Sequence, residues 1–252
     1  YAIDEARAAG IREFIFVTSR GKGALEDYFD LAPSLEDALR EKGKTEALEE
    51  LQSTNMDSGA IAYVRQHRAL GLGHAVWCAR RLVGDEPFAV ILPDDVITGD
   101  RPCLKQMVEA YAETGGNMVA AMEVSDEATS SYGILDAHGD GPTVRVDGMV
   151  EKPKAGTAPS NLAVIGRYIL SPRVMEHLHS IKSGAGGEIQ LTDAIAREIE
   201  AGAVYGHKFE GERYDCGSKS GFLQATVAFA LRRPDLRDDL AAFLRDTVSK
   251  QI

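Results

Sequence analysis

The sequence has few cysteines and an excess of acidic residues. Its three cysteines, Cys78, Cys103 and Cys216, are far apart among 252 residues. They form neither a disulfide framework nor a metal-binding pair, so the expected compartment is a reducing cytoplasm. Lys and Arg number 28 against 39 Asp and Glu, which gives a net charge of −11. The clustered cations of nucleic-acid binding are therefore lacking, and a nucleic-acid partner is excluded.

Other classes of protein are excluded by missing patterns. The longest apolar run, "FAVIL", is far too short to span a membrane, and no secretion signal is visible. The sequence contains no "GxSxG", no Walker-type lysine and no zinc-ligand spacing. These absences argue against membrane-spanning, serine-hydrolase, P-loop and zinc-site proteins.

The pattern that is present indicates an α/β fold. Short apolar runs alternate with helical segments through the first half, which predicts a doubly wound, mostly parallel, Rossmann-like sheet. Hairpin-like strands in the second half predict an antiparallel extension. No linker composition is visible, so one domain over residues 1–252 is expected. Ser34 and Asp37 resemble a capping box, and "YAIDEARAAG" at the start is typical of a helix body, which predicts that an upstream segment is absent.

Acidic residues follow two predicted strands. "ILPDDVI" places Asp94 and Asp95 at the carboxyl end of an apolar strand, where open α/β sheets bind ligands. Two such carboxylates suit Mg²⁺ if a phosphorylated ligand completes the coordination, although they could equally cap the next element. Asp215 in "RYDCGSKSG" follows a strand-like run, and a helix-entry turn is the alternative there.

Two further segments carry polar side chains suited to a sugar phosphate. "GMVEKPK" ends a strand with Glu151, which can accept hydrogen bonds from hydroxyls, and Lys152, which can neutralise a phosphate. An exposed ion pair between them is the plainer alternative. Glu188 stands beside glycines in "GGEIQLTDAI", where helix capping is the plainer alternative.

The loop "RQHRALGLGHAV" resembles a dinucleotide-binding fingerprint only in part. Gly71 and Gly73 have the required spacing, and acidic residues follow about twenty residues later. The third small position is occupied by Val76, where close packing of helix on strand needs a small residue. No hydride-transfer constellation accompanies the loop, so an NAD-dependent dehydrogenase is disfavoured.

Together these segments resemble one family. In order along the chain, the similar segments are "VTSRGKGALEDYFD", "QHRALGLGHAV", "ILPDDVI", "YGILD", "VEKPK", "NLAVIGRYIL", "GGEIQLTDAI" and "YDCGSKSGFLQA". They look like the bacterial UTP–glucose-1-phosphate uridylyltransferases, or UDP-glucose pyrophosphorylases, across essentially the whole chain. That family opens with a strand and a glycine-rich, Arg-bearing loop around the triphosphate. Nothing similar occurs here, so the resemblance predicts that this loop precedes Tyr1.

The resemblance implies an enzyme, its substrates and its site residues. UTP and glucose 1-phosphate would give UDP-glucose and pyrophosphate, by in-line attack of the sugar phosphate on the α-phosphorus. The implied roles are Mg²⁺ binding by Asp94 and Asp215, phosphate binding by Lys152, contacts to glucose by Gly133 and Glu151, a place on the sugar side for Glu188, and reading of uracil by Gln66 and Gly71.

Alternatives to this reading stay open. A sugar-1-phosphate thymidylyltransferase shares the sheet and acids that the resemblance implies, and the uracil contacts would not exclude the thymine methyl. A catalytically incompetent fragment that only binds a nucleotide sugar is a second alternative, motivated by the missing loop. The last helix, within 234–252, carries Leu236, Leu240, Phe243 and Leu244 on one stripe. It could pack on its own core or join subunits of a homo-oligomer, and the family implies a dimer or tetramer.

Overall fold

The computed structural model describes residues 1–181 and 187–251 of the chain. Contacts divide the chain into two compact units. Unit 1 comprises Tyr1–Gly10, Asp85–Val174 and Thr192–Ile252, and unit 2 comprises Ile11–Gly84 and Met175–Leu191. The single domain predicted for residues 1–252 stays a prediction.

The predicted α/β class, with parallel and antiparallel strands, is confirmed. The strands are β1 Phe14–Thr18, β2 Ile61–Arg65, β3 Phe88–Ile91, β4 Asp95–Thr98, β5 Asn117–Glu123, β6 Gly133–His138, β7 Thr143–Glu151, β8 Leu162–Leu170, β9 Val204–Lys208 and β10 Glu212–Asp215. The helices are α1 Ala2–Ala8, α2 Gly23–Phe29, α3 Pro33–Glu41, α4 Thr45–Ser53, α5 Leu72–Cys78, α6 Arg80–Val83, α7 Cys103–Thr114, α8 Arg173–Ser180, α9 Leu191–Ala201, α10 Lys219–Arg232 and α11 Pro234–Gln251. A 3₁₀ segment spans Asp126–Ser131.

Unit 1 is built on a six-stranded sheet. Its strand order is β3-β8-β5-β9-β7-β6, with β5 and β9 parallel and the other neighbours antiparallel. The expectation of a mostly parallel sheet was therefore wrong for this unit, because β8 is inserted antiparallel between β3 and β5. A separate antiparallel ribbon joins β4 to β10. Helix α7 covers the sheet with Leu104 and Met107, which lie three residues apart on one face and are fully buried.

Strand β8 is buried along its whole length, as its largely apolar sequence predicts. Its one charged residue, Arg167, is 1% exposed and is fully paired. The guanidinium donates to both carboxylate oxygens of Glu5, at 3.0 and 2.9 Å, and to the carbonyls of Leu92 and Asp95, at 3.1 and 2.8 Å. Arg167 thus anchors both ends of the turn that carries Asp94.

Unit 2 contains the parallel pair β1–β2 and the helices α2 to α6. Phe16 of β1 stacks on Phe29 and on Tyr63, with ring centroids 5.1 and 5.5 Å apart. The loop after β2 then leads through Gly71 into α5.

Two sequence-based expectations about helices need comment. The capping box at Ser34 was wrong, because α3 begins at Pro33 and its N-cap is Ala32, with no side-chain cap bond. Proline is favoured at the first helical position, and it moved the helix start upstream of Ser34. On α11, Leu236 and Phe243 remain 43% and 62% exposed, so the predicted stripe is only partly covered by this chain. No helix within the described residues is long and apolar enough to cross a membrane.

Candidate active site

Asp94 and Asp215 lie close together in unit 1. Strand β3 ends at Ile91, and a short turn delivers Asp94 directly before β4. Strand β10 pairs with β4 so that Asp215 is opposite Asp95, and Cys216 N–H donates to the Asp94 carbonyl at 2.8 Å. Both carboxylates reach Gly217, since a Cβ built there would lie 3.0 Å from Asp215 Oδ1 and 3.5 Å from Asp94 Oδ2.

The neighbouring Asp95 has a different role. Its side chain is 9% exposed, and both of its oxygens are engaged. Oδ2 accepts from the backbone N–H of Gly166 at 2.8 Å, and Oδ1 accepts from Arg213 Nε at 2.6 Å. Gly166 is required for this approach, because a Cβ there would stand 2.5 Å from Asp95 Oδ2. Asp95 therefore ties β4 to β8 and leaves Asp94 as the available acid of the pair.

Arg213 connects the acids to a second part of the site. It donates from Nη1 to the Tyr132 hydroxyl at 2.8 Å, and its guanidinium lies 5.4 Å from the Tyr132 ring centroid. Burial disfavours the guanidinium charge, but the charge and hydrogen bond of Asp95, followed by those of Tyr132, raise the pKa of Arg213 above its ordinary value. Arg213 and Asp215 are two residues apart on β10 and so lie on one face of the strand.

Tyr132 in turn holds the backbone of Lys152. The Lys152 N–H donates to the Tyr132 carbonyl at 2.9 Å. Lys152 has φ 45°, the left-handed conformation that side-chain-bearing residues rarely adopt. Such backbone strain persists where the surroundings fix it and is concentrated at functional sites. The side chain is 60% exposed, with Nζ 4.0 Å from Glu151 Oε1.

Gly133 and Glu151 are brought together by the hairpin β6–β7. They are direct partners in its register. A Cβ on Gly133 would lie 3.1 Å from Glu151 Oε2, so the glycine leaves room for that carboxylate. Thr192 at the start of α9 fixes the same oxygen with a hydrogen bond of 3.0 Å from its hydroxyl.

The negative charges of these residues affect the pKa values of two neighbours, the buried Tyr168 and the half-buried Cys216. Burial, followed by the charges of Asp95, Glu151 and Asp94, raises the pKa of Tyr168 well above its ordinary value. Burial and then the charges of Asp215, Asp94 and Asp95 raise the pKa of the Cys216 thiol. The thiol therefore stays protonated, which argues against a cysteine nucleophile at this acid pair.

The acid pair suits a hard divalent cation that is also bound by substrate. Asp94 and Asp215 supply carboxylate oxygens, the ligands that Mg²⁺ prefers, from two elements that meet at Gly217. Within the described residues, no group of three or more His, Cys, Asp or Glu side chains forms a complete metal site. Mg²⁺ is commonly held by one or two carboxylates with phosphate oxygens completing the shell, so the residues fit that mode of binding.

In unit 2, Gln66 and Gly71 form a small polar site at the start of α5. Gln66 Nε2 donates to the Gly71 carbonyl at 3.1 Å and lies 3.0 Å from Nδ1 of His74. Gly71 is the N-cap of α5 with φ 97°, and a Cβ there would lie 2.8 Å from the Ile189 carbonyl. Only glycine fits this position, for both conformational and steric reasons.

Glu188 lies against the same loop. Its Cβ would be 2.9 Å from a Cβ on Gly71, and its carboxylate accepts from Gln190 Nε2 at 3.1 Å. The structure thus groups Glu188 with Gln66 and Gly71 in unit 2. Gly186, which belongs to the motif that singled out Glu188, lies outside the described residues.

Comparisons with known proteins by family profile and by sequence indicate the same kind of enzyme. The Nucleotidyl transferase family profile matches residues 3–231. The UTP–glucose-1-phosphate uridylyltransferase of Bacillus subtilis strain 168 is 46% identical over 252 residues, which is 100% of this chain and 86% of that protein. The chain belongs to the UTP–glucose-1-phosphate uridylyltransferase family.

Solved structures of similar proteins match over most of their length. A UTP-bound UGPase from Acinetobacter baumannii is 36% identical, with a TM-score of 0.88, 97% of this chain and 86% of that chain being covered. A UDP-glucose pyrophosphorylase complexed with UDP-glucose is 40% identical, with a TM-score of 0.81 and coverage of 92% and 86%. The sequence-based resemblance to the uridylyltransferase family is therefore confirmed, and the chain is an enzyme of this class.

The structure of this uridylyltransferase divides the predicted site residues between the two units. Unit 1 holds Asp94, Asp215, Gly133, Glu151 and Lys152, and unit 2 holds Gln66, Gly71 and Glu188. Their individual roles stay predictions.

Sequence reasoning named Asp95 only as a possible metal ligand, and it missed the other residues that support these two sets. Asp95, Tyr132, Thr192 and Arg213 hold the first set in place, and His74 holds the second. For Arg213 a signal was available, since it alternates with Asp215 along a strand-like run. No local pattern identified Tyr132 or Thr192, because their partners are distant in sequence.

Proposed function

We propose that the protein joins UTP and glucose 1-phosphate into UDP-glucose and pyrophosphate. The observation that carries the proposal is the meeting of Asp94 and Asp215 at Gly217, in a chain of this family. Two carboxylates that approach the same glycine suit a reaction in which both substrates are phosphate anions, because a cation must be held where those charges meet.

The residues act by positioning and by screening charge. A phosphate oxygen of glucose 1-phosphate forms a bond to the α-phosphorus of UTP as the bond to pyrophosphate breaks. That oxygen is already anionic near neutral pH, so no general base is required. Lys152 binds the sugar phosphate and reduces its repulsion from UTP, while Glu151 and Gly133 orient the glucose hydroxyls.

Asp94 and Asp215 would hold the divalent cation, which we propose to be Mg²⁺. When bound, the ion neutralises phosphate charge and aligns the α-phosphate. Asp95 and Arg213 keep the two acids in register, and Tyr132 links them to the backbone of Lys152. In unit 2, Gln66 and Gly71 bind the uracil ring, and Glu188, which lies beside Gly71, lines the sugar side of the ligand.

The proposal also covers the ligands, the cellular location and the oligomeric state of the protein. UTP, glucose 1-phosphate and UDP-glucose are the expected ligands, and the three dispersed cysteines favour a cytoplasmic enzyme. The exposed apolar residues Leu236 and Phe243 on α11 support a homo-oligomer contact, which sedimentation analysis of the purified protein would test.

A coupled pyrophosphate-release assay tests the reaction. We expect turnover of UTP with glucose 1-phosphate, dependent on Mg²⁺ and abolished by a chelator. A clear preference for dTTP over UTP would favour a thymidylyltransferase instead. Binding of UDP-glucose without any turnover would contradict the proposed reaction and favour a binding protein.

A further inference from the structure

The hydrogen bonds of Gln66 fix which end of its amide is nitrogen. One amide atom lies 3.1 Å from the Gly71 carbonyl oxygen, and a carbonyl can only accept. This atom must therefore be Nε2, whichever form His74 takes. The same nitrogen lies 3.0 Å from His74 Nδ1. A primary amide nitrogen has two hydrogens, so both are used, one by Gly71 and one by His74.

This arrangement also defines the state of His74. Since Nε2 of Gln66 can only donate, Nδ1 of His74 must accept, and the imidazole is neutral with its proton on Nε2. The ring is supported within unit 2. Trp77 stacks against it with centroids 6.0 Å apart, and Cys78 Sγ lies 3.9 Å from Nδ1 one helical turn further along α5.

Because both hydrogens of Gln66 Nε2 are used, the Gln66 amide offers a ligand only the acceptor Oε1. Throughout residues 1–181 and 187–251, no donor is recorded for Oε1 of Gln66, and the side chain is only half-buried. Uracil has an N–H donor at ring nitrogen 3, whereas the same nitrogen of cytosine is a bare acceptor. An outward Oε1 is therefore complementary to uracil, and it repels cytosine in the same pose.

We propose that His74 is a positioning residue that holds the amide of Gln66 with its oxygen outward and so sets the preference for a uracil over a cytosine nucleotide. This inference rests on the proposed function, because it presumes that Gln66 meets the base. The Gly71 carbonyl alone binds one amide hydrogen. His74 binds the second and thereby opposes the rotation that would present the nitrogen.

Kinetics of variants test the inference. For His74→Ala we expect the KM for UTP to rise about tenfold, the equivalent of one oriented hydrogen bond, with kcat changed less than about threefold. The ratio of kcat/KM for UTP to that for CTP should fall by about tenfold. His74→Asn carries a carbonyl oxygen close to the place of Nδ1 and should restore the ratio to within about threefold of wild type. His179→Phe is the matched control, since exposed His179 also stacks on Trp77, with ring centroids 5.9 Å apart, and has no contact to Gln66 in the described part of the chain.

The outcomes separate the two proposals. A wild-type ratio in His74→Ala, or a loss of kcat without a change in KM, would overturn the positioning role. Absence of any UTP turnover by the wild-type protein would instead overturn the proposed function. If His74→Ala does not fold, nitrogen-15 NMR of the wild-type protein decides. We expect His74 to carry its proton on Nε2, and a protonated Nδ1 would refute the inference.

Discussion

Arg213 Nε donates a hydrogen bond to Asp95 Oδ1 over 2.6 Å, and both side chains are about nine-tenths buried. This pair joins the strands β10 and β4, and it stands one residue from Asp94 and two from Asp215. The geometry of the candidate metal-binding acids therefore depends on two residues that are not expected to touch the metal. Variants of Arg213 can therefore test stability, and variants of Asp94 can test activity, in separate experiments.

Replacing Arg213 by Met tests the buried pair. The variant leaves the Asp95 carboxylate buried without its partner, so we expect the free energy of unfolding to fall by about 3–5 kcal/mol. Urea denaturation measures the change. Arg237→Met is the matched control, because Arg237 pairs with Asp238 on an exposed helix surface and should have little effect. A loss as small as that of the control would contradict the importance of the pair.

Asp94→Asn tests the metal assignment. We expect turnover to fall by on the order of 10²–10³, as for other removed electrostatic groups in active sites. The melting temperature should not change, since no structural partner of the Asp94 side chain is recorded in the described part of the chain. Steady-state kinetics across a Mg²⁺ titration measures the first effect and thermal denaturation the second. Near-normal turnover would refute the role of Asp94.

Lys152 allows the backbone and the side chain to be tested separately. Ala and Gly both remove the amine, so both variants should lose turnover equally. Because Lys152 has φ 45°, Gly should be more stable than Ala there by about 1 kcal/mol. Denaturant unfolding of the two variants gives the difference. Greater stability of the Ala variant would show that the left-handed conformation is not retained in solution.

Gly71→Ala tests the close packing at the start of α5. A Cβ would meet the Ile189 carbonyl at 2.8 Å in addition to the unfavourable φ of 97°, so we expect weaker UTP binding and lower stability. Gly59→Ala is the control in the same unit, with φ 87° and no atom within 4 Å of the added Cβ. It should lose about 1–2 kcal/mol from backbone strain alone and bind UTP normally. Calorimetric titration with UTP measures the contrast, and equal binding by both variants would argue against a role for Gly71 at the base.

We expect the stability of the protein to depend on pH because of His207. Burial, and then the charge of Arg101, lowers the pKa of His207 from its ordinary value of 6.5. The unfolded chain therefore binds this proton more readily than the folded one, so stability rises with pH in this range. The stability that neutral His207 contributes is fully present above about pH 6.5, and it is lost as the pH falls through the pKa of His207 in the folded protein.

The His207→Gln variant provides the comparison. Gln can still bond Thr143, which lies 2.9 Å from His207 Nδ1 in the wild type. We expect a smaller fall in unfolding free energy between about pH 7 and pH 5 than in wild type. Urea denaturation at a series of pH values measures it. Identical slopes would mean that other groups cause the acid sensitivity.

Most elements were predictable because their patterns are local. The apolar run of β8, the amphipathic spacing of α7 and the glycine that ends it at Gly115 are all legible in short windows. The strand β4 has little local signal, because it is only four residues long and its pairing with β10 spans more than a hundred residues. The start of α3 at Pro33 follows a local rule, the preference for proline at the first helical position. The prediction overlooked this rule because Ser34 and Asp37 resemble a capping box.

The sequence by itself determined the α/β class, the family and the candidate residues, because motifs and periodicity survive in the order of the residues. Only the tertiary structure decided which of Asp94 and Asp95 is engaged by the protein, since two adjacent carboxylates are equivalent until distant partners such as Gly166 and Arg213 bind one of them. The same holds for Gln66. The two ends of its amide are not distinguished by the sequence, and only the positions of Gly71 and His74 in space decide that its nitrogen is engaged and its oxygen remains available to a ligand.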